Sequence, residues 1–197
     1  YNYAHKSFDF IKGFFSQKNF SVLEVGCGAG GILKYYEENG CIVKGIDYDQ
    51  NQLNYGRNQG LSLENKIDFL DKKKYDLVIL SHVLEHLVYP NKEIKEIKKY
   101  LKINGLLYIA IPSIHSIKNT NYNFDMSRFF HIAHFSHFSL TSFKNFMNKN
   151  GLKIKKINNE IQAVLEIDES KNEIKKITSS YDADIKELRD IETVSYT

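Results

Sequence analysis

The stretch SVLEVGCGAGGIL, residues 21–33, constrains the fold more than any other part of this chain. Its first residues are the apolar and β-branched types of a buried strand. A glycine-rich turn follows, and the apolar spacing after Gly31 is that of a helix. A strand that runs through such a turn into a helix is the opening unit of an α/β sheet, and the turn lets backbone approach a ligand closely.

The same alternation of strand and helix continues along the chain. It predicts a mostly parallel sheet with helices on both faces. The predicted helices are 4–17, 32–38, 50–58, 91–101 and 141–150. The predicted strands are 22–25, 41–46, a weak one within 61–69, 76–80 and 106–112, then a hairpin of 152–157 and 163–167. An Asn-Gly pair at 104 and 105 predicts a turn into the fifth strand, and Asn91 predicts a helix cap.

A length of 197 residues suits one α/β domain. We predict a single domain over 1–197. Its parts are an N-terminal helix region (1–20), a ligand-binding core (21–112), an insert over the acceptor pocket (113–138), a C-terminal helix and hairpin (139–167) and a polar tail (168–197). The insert shows no periodicity, and such long excursions in compact domains are more often functional than idle.

Composition excludes several classes of protein. No apolar run reaches the roughly 18 to 20 residues of a membrane helix, and Tyr1 to Lys6 do not resemble a secretory signal. Cys27 lies in the glycine turn, so a disulfide with Cys41 is not expected, which suits a reducing cytoplasm. The net charge is +3, and few of the 27 basic residues are arginine, so nucleic acid is an unlikely partner.

Two acidic residues narrow the ligand of the glycine turn. Asp47 ends the second strand, where a carboxylate accepts hydrogen bonds from ribose hydroxyls. This fits NAD and S-adenosylmethionine equally, as does the spacing Gly26-x-Gly28-x-x-Gly31. Glu24 separates them, because a carboxylate beside the turn disfavours a pyrophosphate and favours the ammonium of a methionine moiety.

Four successive motifs resemble those of class I S-adenosylmethionine-dependent methyltransferases: LEVGCGAGG, GIDYD, YDLVILSHVLEHLVYP and LKINGLLYIAIP. They cover about residues 20–112. The later stretch RFFHIAHFSHFSLTSFKNFMNKNGLKI is similar to the tail of small-molecule and surface-glycan methyltransferases, and to the ubiquinone-biosynthesis O-methyltransferase branch. The resemblance implies a Rossmann-like, seven-stranded sheet whose last strand is antiparallel.

The resemblance also implies a cofactor site for S-adenosylmethionine. With the residue-based inferences, the expected cofactor-binding residues are Glu24, Gly26, Cys27, Gly28, Gly31, Asp47, Tyr48, Asp68, Ser81 and His82. Tyr48 is expected beside the adenine. Asp68, Asn65 and Glu64 compete for the role of the acid that binds the adenine amino group.

Six of the seven histidines lie between positions 82 and 137. Histidine is the natural base near neutral pH, and methyl transfer to oxygen requires a proton to leave. His134 and His137 are the leading candidates for this base, followed by His82. The expected substrate-binding residues are His86, His115, Tyr122, Arg128 and His131.

A metal site is a further possibility that the pattern raises. His82, Glu85 and His86 fall on one face of a helical turn, and some ubiquinone-pathway relatives resemble this with an acid in place of His82. Mg²⁺ prefers oxygen ligands, so the histidine makes such a site a poor one. We therefore predict no metal, and methyl transfer that survives chelation.

The leading hypothesis is a methyltransferase that acts on an oxygen of a small molecule. The family resemblance suggests a sugar or a phosphorylated precursor of a bacterial surface polysaccharide as the acceptor. The alternatives are an NAD-dependent oxidoreductase and a non-catalytic, cofactor-binding partner subunit. A nucleic-acid methyltransferase is less favoured, because the Asn/Asp-Pro-Pro-aromatic signature is missing. The sequence does not predict the oligomeric state.

Overall fold

A computed structural model describes residues 2–17, 19–66, 72, 74–118, 125–130, 132–169, 179 and 181–195. The strands are β1 (Ser21–Val25), β2 (Ile42–Ile46), β3 (Leu63–Glu64), β4 (Tyr75–Ser81), β5 (Leu101–Ala110), β6 (Leu152–Ile157) and β7 (Gln162–Ile167). The α-helices are α1 (Asn2–Ile11), α2 (Gly31–Glu38), α3 (Gln50–Asn58), α4 (Pro90–Ile97), α5 (Met126–Phe129), α6 (Leu140–Lys149) and α7 (Tyr181–Ser195).

The strands form one seven-stranded sheet in the order β3-β2-β1-β4-β5-β7-β6. Strands β3, β2, β1, β4 and β5 pair in parallel, and β7 is antiparallel to both β5 and β6. The prediction of a mostly parallel, seven-stranded sheet whose last strand is antiparallel is therefore confirmed. The predicted hairpin is the pair β6 and β7.

Two hydrophobic clusters cover the two faces of the sheet, and β4 contributes to both. Leu77 and Ile79 pack with residues of α1, α2 and α3, while Val78 and Leu80 pack with residues of α4 and α6. Successive strand residues point to opposite faces, so a strand buried on both sides is apolar throughout. This is why the continuous apolar run LVIL, residues 77–80, forms the middle of the sheet.

Helix ends follow local side-chain chemistry, with one correction to the predictions. Asp49 accepts hydrogen bonds from the second and third amides of α3, and Ser139 forms a reciprocal cap with Ser142 at the start of α6. Asn91 does not cap α4. That helix begins one residue earlier, at Pro90, whose fixed φ suits the first position of a helix.

The predicted turn at Asn104 is also wrong. Strand β5 starts at Leu101 and continues through this residue, which takes a left-handed conformation with φ of 62°. The pairing with β4 shifts register there, since Tyr75 faces Leu101 and Leu77 faces Leu106. The Asn-Gly pair therefore makes an irregularity inside the strand, because left-handed backbone serves a bulge as well as a turn.

Other helix and strand boundaries differ from the predicted ones by a few residues. The N-terminal helix stops at Ile11 and is followed by a short 3-10 helix, Lys12–Phe14. Helix α4 also ends early, at Ile97, and a second 3-10 helix leads into β5. Only Leu63 and Glu64 of the weak third strand pair with β2, and positions 67–70 lie outside the described residues.

The segment 113–138 is closed by a backbone bridge between Ser113 and Phe138. It contains a 3-10 helix, Ile114–Lys118, and the single-turn helix α5. Leu188 of α7 packs against Ile114, Ile117 and Phe129 within it, so the described part of the tail is a helix held against this segment. Cys27 and Cys41 are both free thiols, as predicted. Among the residues the structure describes, no helix is both long enough and apolar enough to span a membrane.

We predict that Gly56→Ala destabilises the protein although alanine favours helices by about 1 kcal/mol. A Cβ at Gly56 would lie 2.5 Å from the carbonyl oxygen of Ala29 in the glycine turn. The clash should lower the free energy of unfolding by about 1–3 kcal/mol in urea denaturation. Gly13→Ala is the matched control, because a Cβ there meets nothing within 4 Å. Equal stability of the two variants would contradict this packing.

Candidate active site

The candidate site lies at one edge of the sheet. Because β1, β2, β4 and β5 are parallel, the residues that follow them meet at the edge formed by their carboxyl ends. The glycine turn follows β1, Asp47 follows β2 and His82 follows β4. Ligands of open α/β sheets bind at this edge.

The glycine turn needs glycine at three positions. Gly26, Gly28 and Gly30 have φ of 74°, 52° and 79°, which L-residues rarely adopt. A Cβ on Gly26 would also lie 2.5 Å from Val83 Cγ2, and one on Gly30 would lie 2.5 Å from Leu61 Cδ1. The sequence pattern pointed to Gly31 and missed Gly30. The doubled glycine was the available signal, and Gly31 itself begins α2 in ordinary helical conformation.

Asp47 is hydrogen-bonded directly to the glycine turn. One carboxylate oxygen accepts a 2.7 Å hydrogen bond from the amide of Gly28, and the other accepts a 2.9 Å bond from the amide of Asp49. Each oxygen keeps a further lone pair, so the carboxylate can still accept from a pair of ribose hydroxyls. A Cβ on Gly28 would meet nothing within 4 Å, so the turn is open beside this carboxylate.

Glu24 is a buried acid with an unsatisfied oxygen. It is 3% exposed, and its Oε2 has no hydrogen-bond partner among the described residues. Burial, and then the charge of Asp47, raise the pKa of this carboxyl well above its usual range. A buried carboxylate gains most from a cationic partner, so the ammonium of a methionine moiety fits this position. The residues present therefore fit S-adenosylmethionine.

Cys27 faces the protein rather than the open side of the turn. Its thiol packs where a Cβ on Gly45 would fall 2.6 Å from Sγ, and its amide donates to the carbonyl of Ile46. Burial raises the pKa of the Cys27 thiol to about 12, so it stays protonated. The predicted contact between Cys27 and the cofactor would therefore be made by the backbone atoms of this residue.

The other predicted cofactor residues lie around this core. Tyr48 is 94% exposed beside Asp47, and Ser81 is the half-buried last residue of β4. Asp68 lies outside the described residues. Of its competitors, Glu64 lies 3.6 Å from Lys44 Nζ, and its carbonyl accepts from the amide of Asp47. The roles of these residues remain predictions.

His82 stands at the end of β4 in a strained conformation, with φ of 56°. Its Nδ1 lies 3.3 Å from Oε1 of Glu85, and its side chain is 49% exposed. The ring meets Tyr3 of α1 edge to face. A buried carboxylate therefore lies beside Nδ1 of a half-exposed imidazole.

Three further histidines lie close together. The ring of His134 is 4.9 Å from that of His86 and 5.8 Å from that of His137. His137 also contacts Phe129 and Phe130, with ring centroids 5.3 and 4.6 Å away. The sequence predicted the clustering of histidines but not this aromatic packing, since the segment has no periodicity from which to derive it.

The predicted substrate-binding residues divide into two groups. His115 is half-buried, and its amide donates to Ser113 Oγ, while Arg128 is exposed on α5. His86 is exposed, and its Nδ1 lies 2.8 Å from the carbonyl oxygen of Ala133. Tyr122 and His131 lie outside the described residues. Their contact with an acceptor remains a prediction.

We predict that Asp47→Ala weakens S-adenosylhomocysteine binding by roughly 1.5–3 kcal/mol, the scale of hydrogen bonds to a charged group. Calorimetry measures the change, and NAD should give no binding heat with either protein. Asp182→Ala, at an exposed acid of α7, is the control. An unchanged dissociation constant in folded Asp47→Ala would place the ribose elsewhere.

We also predict that Glu24→Gln stabilises the ligand-free protein at alkaline pH while weakening S-adenosylhomocysteine binding. The pKa of Glu24 in the folded protein is raised well above its usual value of 4.5, so the native state keeps a proton that the unfolded chain has lost. The contribution of Glu24 to the free energy of unfolding is therefore fully present below pH 4.5, and it decreases as the pH rises, by up to about 1.4 kcal/mol per pH unit.

Urea denaturation at pH 5 and pH 8 checks this sign. The free energy of unfolding of Glu24→Gln should exceed that of the wild type by a larger amount at pH 8 than at pH 5. Glu160→Gln, an exposed position, is the control and should show no such pH-dependent difference. An equal loss of stability at both pH values in Glu24→Gln would show that burial does not disfavour the ionised form of this carboxyl.

Comparison with known proteins places the chain among methyltransferases. A family model described as a methyltransferase domain matches residues 2–157. The ubiquinone biosynthesis O-methyltransferase of Glaesserella parasuis is 34% identical over 116 residues, which cover 52% of this chain and 48% of that protein. The enzyme of the same name from Pelagibacter ubique is 32% identical over 101 residues, 47% and 42% of the two chains. The chain thus spans about half the length of these curated relatives.

A solved structure agrees on the fold. A S-adenosylmethionine-dependent methyltransferase from Aquifex aeolicus superposes with a TM-score of 0.58 at 19% identity, covering 81% of this chain and 86% of that one. The NAD-dependent alternative has no support from these matches. With the match of the family model over most of its length, the chain belongs to the class I S-adenosylmethionine-dependent methyltransferase family.

Proposed function

We propose that this protein transfers a methyl group from S-adenosylmethionine to a hydroxyl oxygen of a small molecule. The observation that carries the proposal is the arrangement at the sheet edge. The cofactor-binding turn lies beside the end of β4, where a half-exposed His82 has its Nδ1 3.3 Å from the buried Glu85. The name O-methyltransferase of the curated relatives supports oxygen as the accepting atom.

The residues divide the work between binding and proton removal. When bound, S-adenosylmethionine supplies an electrophilic methyl group on a sulfonium. Asp47 and the glycine turn hold the ligand in place, and Glu24 neutralises its ammonium. His82 would accept the proton of the acceptor hydroxyl when the methyl group passes from sulfur to that oxygen and S-adenosylhomocysteine leaves. Alignment of the acceptor supplies up to ~7–11 kcal/mol, and a base about 10²- to 10⁴-fold in rate.

Two classes of acceptor follow from separate observations. The described residues around His134 and His137 include Phe129, Phe130 and Phe135, and the last is 63% exposed. These favour an aromatic acceptor, such as a precursor of ubiquinone, the quinone in the names of the curated relatives. Exposed Arg128 favours the sugar or phosphorylated polysaccharide precursor that the tail motif suggests. We also propose that the protein is located in the cytoplasm.

We predict that transfer of a labelled methyl group separates these classes. The purified protein is incubated with labelled S-adenosylmethionine and either uncharged catechols or nucleotide sugars. Label is expected in the methoxy group of an aromatic product. Arg128→Ala should leave that reaction within about twofold, because an uncharged acceptor needs no cation. Transfer to sugars alone, abolished by Arg128→Ala, would favour the polysaccharide reading. Label on nitrogen would overturn O-methylation.

We predict that His82→Gln lowers kcat about 10²- to 10⁴-fold while leaving S-adenosylhomocysteine affinity unchanged within about twofold. Glutamine keeps bulk but accepts no proton at neutral pH. His134→Gln and His137→Gln are measured beside it, because the sequence favours those two histidines. A full rate in His82→Gln with a loss in either of the others would return the base to segment 113–138.

A further inference from the structure

We propose that Glu85, His86 and His134 form a binding site for a divalent metal ion of the zinc class. One ligand atom of each residue lies within 4.8 Å of the others. This set differs from the one that the sequence suggests, because His134 arrives from a distant segment and His82 is not part of the group. The inference concerns metal binding alone and does not depend on which acceptor is methylated.

Glu85 is the first reason for this proposal. Its side chain is 2% exposed, and neither carboxylate oxygen has a hydrogen-bond partner among the described residues. Burying a carboxylate without compensation is costly, and buried charges are normally paired or coordinate metals. His82 Nδ1 is 3.3 Å from Oε1, outside good hydrogen-bond geometry, so the carboxylate retains capacity to coordinate a cation.

The orientation of the two imidazoles is the second reason. Nδ1 of His86 is 2.8 Å from the carbonyl oxygen of Ala133, and Nδ1 of His134 is 3.0 Å from that of Phe129. A carbonyl accepts only from a protonated nitrogen, so in each neutral ring Nε2 carries the lone pair. A histidine that donates Nδ1–H to a carbonyl and coordinates through Nε2 is a recurring arrangement in metal sites.

The two segments that supply the ligands are joined by backbone. The amides of Phe135 and Ser136 both donate to the carbonyl oxygen of Glu85, at 2.8 and 3.2 Å. These bonds hold the residue after His134 against the short 3-10 helix Leu84–His86. The ligands therefore keep their relative positions before a metal arrives, which reduces the ordering cost of binding.

The donor set selects the kind of metal. Two imidazoles and one carboxylate suit Zn²⁺, Co²⁺ or Ni²⁺, whereas Mg²⁺ and Ca²⁺ require mainly oxygen ligands. Three protein ligands leave a fourth tetrahedral position for water or a hydroxyl group. The site lies next to His82, so a hydroxyl bound there would lie near the proposed base.

The test measures metal binding directly. The intact chain is freed of metal with a chelator, dialysed and titrated with ZnCl₂ or MgCl₂ by calorimetry, and Co²⁺ absorption spectra report tetrahedral coordination. We expect 1:1 Zn²⁺ binding and no comparable Mg²⁺ binding. His134→Ala should weaken Zn²⁺ binding about 10-fold or more, while His82→Ala and the control His115→Ala should retain it.

Several results would overturn the proposal. They are the absence of Zn²⁺ binding in the wild type, Mg²⁺ binding in preference to Zn²⁺, and loss of Zn²⁺ binding in His82→Ala but not in His134→Ala. Glu85→Gln removes a buried charge, so its fold is checked by circular dichroism, and His134→Ala decides the matter if that variant unfolds. S-adenosylhomocysteine titrations of the same samples report the cofactor site separately, so failure of metal binding is distinguishable from failure of the methyltransferase function.

Discussion

The carbonyl oxygen of Ile46 is the acceptor on which the site depends. It receives the amides of both Gly26 and Cys27, at 2.8 and 3.0 Å, so the end of β2 holds the beginning of the glycine turn. The next residue, Asp47, then bonds the amide of Gly28. Two adjacent parallel strands thus fix the turn and the Asp47 carboxylate as one unit. This unit requires glycine at the three positions of left-handed backbone, and at two of them, Gly26 and Gly30, a Cβ would also clash with a neighbouring side chain.

Sequence patterns predicted those parts of the fold that depend on local chemistry. Buried parallel strands are mainly apolar, so β1 and β4 could be predicted, and the Asp49 cap of α3 lies beside the predicted first residue of that helix. The predictions fail where the local structure depends on residues that are distant in the sequence. The Asn-Gly pair at Asn104 predicts a turn before the strand, but in the structure Asn104 lies inside β5, at an irregularity in the pairing with β4. His134 meets His86 only because the backbone of Glu85 accepts from Phe135 and Ser136, a contact that no local pattern encodes.

Two buried acids show that the site is a compromise between stability and binding. Glu24 and Glu85 are 3% and 2% exposed, and each has carboxylate oxygen without a hydrogen-bond partner among the described residues. Such groups destabilise a protein whose ligands are absent, because desolvation of a carboxylate is not compensated. Ligands that neutralise them recover that free energy, so binding and folding are coupled, and the protein should be more stable when its sites are filled.

The bridge between Ser113 and Phe138 brings the two ends of a long segment to one point on the sheet edge. Loop-closure entropy grows only with the logarithm of length, so chain between these ends can lengthen, shorten or be exchanged at little thermodynamic cost. The strands that hold the cofactor turn need not change with it. Ser113 and Phe138 therefore mark the two junctions at which segments from relatives can be grafted onto this scaffold.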